Sequence, residues 1–441
     1  MWTDSPALHP PLVHGASQQS NALTIAIICI GVFAGTVAAL GGWQYALAIL
    51  VFAVLLRWPV EASLGTLALL LPFDSVASVG AEASGATLTR YVAALSATVL
   101  ISLGLARNRF TKPPLAALWW SGFIFWGVVT LAWAYDPEPA WERLPTALSL
   151  LALYVVASSF AITKKELITV GAMAVLGGCA AAAMSSVQFF SGTSFHDSAR
   201  SSLMIGGRET DPNQFAASLL LPLSLALGAV VRSRMRSVRL VGVAAVAVLG
   251  LALLLTMSRG GLLAALVVAS VYLYRLRGDR RVLVGIACFG LMLLFMPHAF
   301  FERLSLADRG AGRMDIWAAS LNLVPHYGFF GAGWNNFVAI YANVAGDAPH
   351  FHGFTEGSHN IYLGMLLEVG IVGLLCLLLA FRSQLRAIRN SSVLPFEAAC
   401  WGMMAMGVTL DVVWRKSFWV CWILLAMAVR LYRTRDAETC S

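Results

Sequence analysis

Residues 240–275 read LVGVAAVAVLGLALLLTMSRGGLLAALVVASVYLYR. Two apolar stretches, 240–257 and 260–275, flank a polar break at Ser258 and Arg259, and no other charge appears before Arg275. In a bilayer the backbone polar groups have no water to bond, and a helix satisfies them within the segment. The two stretches therefore read as membrane-spanning helices. Working outward, the same pattern recurs at 22–40, 43–59, 61–73, 90–106, 115–134, 145–162, 166–190, 213–231, 282–297, 358–380, 395–414 and 418–432. With a short third span and a close pair at 240–275, the count is 12 to 14 transmembrane helices. Composition agrees: 59% of the 441 residues are hydrophobic and 12% are charged, against about 25% charged in soluble domains. No polar stretch is long enough for a second domain. The expectation is an all-α, polytopic integral membrane protein, with residues 1–441 forming one membrane domain.

The net charge of +8 does not point to nucleic acid, because the arginines lie scattered in short loops between apolar runs. Such scatter reports topology, since cytoplasmic loops are enriched in Lys and Arg. Twenty of the thirty basic residues fall on one side: Arg57, Arg107, Arg109, Lys112, Lys164, Lys165, Arg232, Arg234, Arg236, Arg239, Arg275, Arg277, Arg280, Arg281, Arg382, Arg386, Arg389, Arg430, Arg433 and Arg435. That side is read as cytoplasmic, with both termini on it. The first twenty residues contain no Lys or Arg, so the first apolar run is read as a retained helix and not a signal peptide. Of the seven cysteines, Cys29, Cys179, Cys288, Cys376, Cys400 and Cys421 lie in apolar runs and Cys440 in the tail, which gives neither a disulfide framework nor a zinc motif.

The other ten basic residues, Arg90, Arg143, Arg200, Arg208, Arg259, Arg303, Arg309, Arg313, Arg415 and Lys416, face outward against the topological bias. A bound anion is the simplest reason. Two outward loops are long, about 191–212 and about 298–357, and both are read as periplasmic. The second contains GRMDIWAASLNLV, in which Met314, Trp317, Leu321 and Val324 recur at helical spacing. That suits a short helix lying in the membrane interface with this apolar face down.

Three spans start outward. One follows Asp211-Pro212-Asn213, just after Arg208; one follows Ser258-Arg259-Gly260-Gly261; one follows Ser358-His359-Asn360, with Ser358 as the N-cap. Helix N-termini carry partial positive charge and free N–H groups, so three of them converging suit a pyrophosphate. Arg208 and Arg259 admit a plainer reading as snorkelling or capping residues. Arg303, Arg309 and Arg313 could be solvated loop residues, of which Arg313 stands out because it leads into the interfacial helix. His359 at a helix start has its pKa pushed down and stays available as a base, or it is a packed interfacial histidine. His350 and His352 form an H-x-H pair without a third ligand, which argues against a metal. Glu368 lies nine residues beyond His359, near the opposite helix face, and either serves function as an intramembrane carboxylate or bonds a neighbouring element. Asp411 is placed to pair with Arg415.

His359-Asn360, nine residues, then Gly370-Ile371-Val372-Gly373 resembles the H-N-x9-G-x-x-G signature of bacterial O-antigen ligases. GRETDPNQFAASLLLPLSLAL resembles that family's R-x-x-x-P-N segment, TMSRGGLLAAL its S-R-G helix start, and GRMDIWAASLNLVPHYGFFGAGWNNF its G-R-x-x-x-W…G-x-G-W loop. These motifs cover roughly residues 200–380, and the first 190 residues match in hydropathy alone. The superfamily includes polysaccharide polymerases and some protein O-glycosylating enzymes. The resemblance implies a membrane-embedded, GT-C-like glycosyltransferase that needs no metal or other cofactor and inverts the anomeric centre. Its donor would be a glycan on undecaprenyl pyrophosphate, and its acceptor a sugar hydroxyl of lipid A–core in lipopolysaccharide biosynthesis. By the same resemblance His359 is the base; Arg208, Arg259 and Arg313 hold the pyrophosphate; Asn360, Asn213 and Trp317 support them. An O-antigen or exopolysaccharide polymerase would share donor and chemistry. A polysaccharide flippase is the rival from another class, but no internal repeat is visible.

Overall fold

The structure, a computed structural model, describes residues 53–77, 87–193, 200–276, 312–347, 353, 355–388 and 390–438. The expected spans 22–40 and 282–297, most of 43–59, and Arg303, Arg309, His350 and His352 lie outside the described residues. The chain divides into two compact units, Met1–Ser63 and Leu64–Ser441. The described part of the first is largely helical, with Ser63 Oγ donating to the Pro59 carbonyl at 2.7 Å.

The second unit is a bundle of helices: α1 (Leu88–Ala106), α2 (Leu115–Val129), α3 (Glu138–Ser159), α4 (Lys164–Phe190), α5 (Pro212–Arg232), α6 (Arg236–Leu255), α7 (Arg259–Arg275), α8 (Arg313–Leu321), α9 (Ile361–Arg386), α10 (Leu394–Met406) and α11 (Lys416–Glu438). Six of them, α1, α2 with its continuation to Trp133, α4, α5, α6 and α9, are long and apolar enough to cross a membrane. The protein is an all-α polytopic membrane protein, as its hydropathy predicts. The span expected at 395–414 is shorter than that: α10 stops at Met406, and 407–415 turn at the bundle end. Residues 66–73 form two short pieces, Thr66–Leu70 and a 3-10 turn at Leu71–Phe73.

The cores explain which helices pair. Trp120 on α2 lies 4.6 Å, centroid to centroid, from Trp419 on α11, and Phe381 on α9 stacks on Trp422 of α11 at 4.8 Å. Aromatic pairs at this spacing add to the burial of their large faces. Tyr154 on α3 closes the group by donating to Gln384 Oε1 at 2.8 Å, and Gln384 donates to the Trp422 carbonyl. A second core joins α5, α7 and α10 through Val268, Tyr272, Leu394 and Ala398.

Basic side chains at one end tie helix ends together. Arg109 forms a two-pronged pair with Glu166 at 2.6 and 2.9 Å, Arg430 donates to the Lys112 carbonyl at 2.7 Å, Arg232 to the Ser391 carbonyl at 2.6 Å, and Arg275 pairs with Glu397 at 2.6 Å. These basic residues all come from the set that the charge count puts on a single side. His359 and the starts of α5 and α7 lie at the other end.

Candidate functional site

The loop expected at 191–212 contains a small hairpin, β1 (Met204–Ile205) against β2 (Arg208–Glu209), with Ile205 opposite Arg208. Gly206 and Gly207 turn it, both at positive φ (59° and 78°), which a tight hairpin of this kind demands at both central residues. Gln188 of α4 fixes the hairpin by exchanging hydrogen bonds with the backbone of Met204 at 2.7 and 3.0 Å. Arg208 therefore stands on a braced strand, half-buried, three residues before the cap of α5.

That cap is Asp211, whose Oδ1 accepts from the N–H groups of Asn213 (2.9 Å) and Gln214 (3.0 Å). Ser258 caps α7, accepting from Gly261 N at 3.1 Å, and donates in turn to Asn213 Oδ1 at 2.8 Å. The starts of α5 and α7 are thus bonded to each other. Arg200 clamps the same junction, donating to Asn213 Oδ1 and the Thr256 carbonyl, both at 3.0 Å. No local motif in the sequence marks Arg200 for this part.

The third start meets them through the turn after α10. Thr409 approaches Gly260 so closely that a Cβ there would overlap its Oγ1, and the Gly407 carbonyl accepts from Ile361 N at 2.8 Å. The group that the Gly260 site admits is therefore the protein's own Thr409. Asn360, not Ser358, is the cap of α9: its Oδ1 accepts from Tyr362 N (2.9 Å) and Leu363 N (3.1 Å). Ser358 lies outside the helix because His359 between them adopts a left-handed conformation, φ 45°, which turns the chain into the cap. Met257 (φ 49°) does the same before Ser258. The three helix starts converge, but at α5 and α9 the first-turn N–H groups are already bonded to Asp211, Asn360 and Gly407. That leaves an anion at this end to the arginine side chains and the start of α7.

Helix α8 begins at Arg313. It packs through Ile316, Ala319 and Leu323 onto Phe337, Ile340 and Leu367, while Met314 and Leu321 stay exposed. The apolar face expected from Met314, Trp317, Leu321 and Val324 is therefore split. Trp317 turns inward, its indole N–H donating to the Ser358 carbonyl at 2.9 Å, which fixes α8 beside His359.

His359 is half-buried, with Nε2 3.7 Å from Glu356 Oε2. Burial and the positive charge of Arg313 hold its pKa below the ordinary imidazole value, against the opposing pull of Glu356 and Asp211. The lowering expected from a helix N-terminus is present, with burial and Arg313 as its causes. The imidazole is neutral near neutral pH and able to accept a proton.

Glu368 does not reach this imidazole. Its carboxylate accepts from Asn335 N (3.0 Å) and Phe337 N (3.3 Å), tying the loop after α8 to α9. Just beyond, α9 breaks at Gly370 (φ 66°, ψ −175°). The carbonyls freed by the break are taken up from outside the helix: Leu367 by Ala332 N (2.8 Å), Glu368 by Gly333 N (3.0 Å) and Val369 by the Trp126 indole (2.8 Å). Ile371 N donates to the Gly328 carbonyl at 2.9 Å. The G-x-G-W segment is thereby plugged into the break of the helix that follows His359. Asp411 and Arg415, expected to pair, form no ion pair within 4 Å.

Residues 244–378 match the family model described as O-antigen ligase. Over this span, about a third of the chain, the protein is similar to the O-antigen ligase family. The matched span holds Ser258, Arg259, Arg313, Trp317, His359 and the Gly370 break; Arg208, Asn213 and Arg415 stand outside it. No curated protein matches the chain.

Proposed function

We propose that the protein transfers a glycan from undecaprenyl pyrophosphate to a sugar hydroxyl of lipid A–core, on the periplasmic face of the bacterial inner membrane. The observation that carries this reading is the placement of His359: a neutral imidazole at the junction of α8 and α9, beside Arg313 and within electrostatic reach of Asp211 at the start of α5. In the proposed reaction His359 takes the proton of the acceptor hydroxyl while its oxygen bonds to the anomeric carbon. The bond from that carbon to the pyrophosphate oxygen breaks, and undecaprenyl pyrophosphate leaves with the electron pair. Attack opposite the leaving group inverts the centre. Arg208, Arg259 and Arg313 supply the positive charge that the departing pyrophosphate needs, in place of a metal. Asn213, Asn360 and Trp317 hold the helix starts and α8 in register through the bonds described above. A polymerase, in which the acceptor is another undecaprenyl-linked repeat, uses the same groups and differs in its product.

The test separates base from anion ligands. His359→Ala should lower turnover by about 10²–10⁴-fold with donor binding retained. Arg208→Ala and Arg259→Ala should weaken donor binding as well as rate, and Arg→Lys should restore only part, since an ammonium lacks the guanidinium fork. If His359→Ala keeps normal turnover, the base is another group, with Glu356 and Asp211 the nearest candidates.

A further inference from the structure

Asn213 turns toward Ser258, whereas Gln214, the next residue and about 100° further round α5, lines a different space. With Asp74, Ser75, Thr210, Arg415 and Ser417 it borders a pocket of about 360 Å³, open mouth included. The one carboxylate there is already used: Lys416 Nζ pairs with Asp74 Oδ1 at 2.7 Å, Thr89 donates to the same oxygen, and Lys416 also donates to Thr87 Oγ1 at 3.0 Å. Thr210 is bonded to the Leu203 backbone. Arg415 is different. It is half-buried, yet among the described residues it has no hydrogen-bond or ion-pair partner, and the side chains of Ser75, Gln214 and Ser417 have none either. Burial and the charge of Arg143 oppose its charge, and Asp74, Asp411 and Asp211 favour it from a distance. Four sets of unused donors, one of them cationic, thus face one polar pocket whose other charges cancel. A buried cation is costly unless an anion completes it.

We propose that this pocket is an oxyanion subsite, where Arg415, Gln214, Ser75 and Ser417 hold a phosphate or carboxylate group of a substrate. The assignment deepens the glycosyltransferase reading and rests on it for the identity of the ligand. The group comes either from the donor pyrophosphate or from an acidic substituent of the acceptor glycan. Either would be gripped at the start of α5, on the flank opposite the Ser258 junction.

The full chain, purified in detergent, is titrated with farnesyl pyrophosphate, which resembles the donor without its sugar, and with glucose 6-phosphate, which resembles an acidic acceptor. Arg415→Gln should raise the Kd of one probe at least tenfold, because charge-assisted contacts to an oxyanion are lost, and leave the other unchanged. Arg415→Lys should recover part of the loss. Loss toward farnesyl pyrophosphate assigns the pocket to the donor, and loss toward glucose 6-phosphate to the acceptor. Should Arg415→Gln not fold, Gln214→Leu carries the test, with a several-fold weakening expected; exposed Arg107→Gln is the control that should bind as wild type. Equal affinity of wild type and Arg415→Gln for both probes, or no binding of either probe to wild type, overturns the proposal. Neither readout needs glycan transfer, so His359→Ala should bind both probes normally, and a failure of the base assignment is seen apart from a failure of this subsite.

Discussion

Replacing Gly370 by alanine should unlock the outer loop from α9. At φ 66°, ψ −175° the backbone is in a region nearly closed to residues with a side chain, at a cost of about 1–3 kcal/mol. The added Cβ would also overlap the Phe329 carbonyl oxygen and stand 2.7 Å from the carbonyl carbons of Phe329 and Phe330. All three are backbone atoms and cannot rotate away. The cheapest escape is for α9 to rewind into a continuous helix, which recaptures its own carbonyls and expels residues 328–334. The loop then loses the bonds of Ala332 N and Gly333 N, each contributing about 1 kcal/mol net. Strain kept in place costs about 1–3 kcal/mol and rewinding costs about 2 kcal/mol in lost loop bonds, so either route destabilises by about 2 kcal/mol. The comparison variant is Gly346→Ala, where a Cβ meets nothing within 4 Å; it should shift stability by less than about 0.5 kcal/mol. Thermal unfolding of detergent-purified protein, with limited proteolysis of the loop, measures both. A Gly370→Ala protein with the melting temperature and protease resistance of Gly346→Ala would refute the plugged-break account.

Two further outcomes follow from the site chemistry. Transfer should fall as pH drops through the pKa of His359, below the ordinary imidazole value, because only the neutral base accepts a proton. Arg313 lowers that pKa and Glu356 raises it, so Arg313→Gln should move the acidic limb of the pH–rate profile to higher pH and Glu356→Gln to lower pH; a limb that ignores both variants belongs to another group. Transfer should also survive EDTA, since the leaving-group charge is assigned to arginines; loss in EDTA restored by one divalent ion would reassign it.

Much of this was legible in the sequence because hydropathy is a local property. The expected 90–106 and 213–231 correspond to Leu88–Ala106 and Pro212–Arg232, and Asp211 caps α5 where its residue type predicts. What escaped depends on contacts between distant segments. The run 395–414 stays apolar past the end of α10 because Val412 and Val413 are buried in the turn, and hydropathy does not separate a buried turn from a helix. The cap of α9 falls two residues late because His359 takes a left-handed conformation, a preference that residue type alone does not announce. The face of α8 divides because Trp317 finds the Ser358 carbonyl 41 residues away. The Gly370 break is invisible to an apolar average over 358–380, although the G-x-x-G spacing points to it. The sequence marks Arg200 as one of ten outward cations, and its bond to Asn213 Oδ1 depends on a contact between segments that no local pattern announces.

The proposed transfer of a glycan from undecaprenyl pyrophosphate to an acceptor hydroxyl, with His359 as base, is open to direct assay. Purified protein, a defined undecaprenyl-pyrophosphate glycan, and lipid A–core present or absent test it most directly. The account predicts capped lipid A–core and free undecaprenyl pyrophosphate in equal amounts, both dependent on lipid A–core and both lost in His359→Ala. Donor left intact with wild-type protein, or capped core formed equally well by His359→Ala, would contradict it.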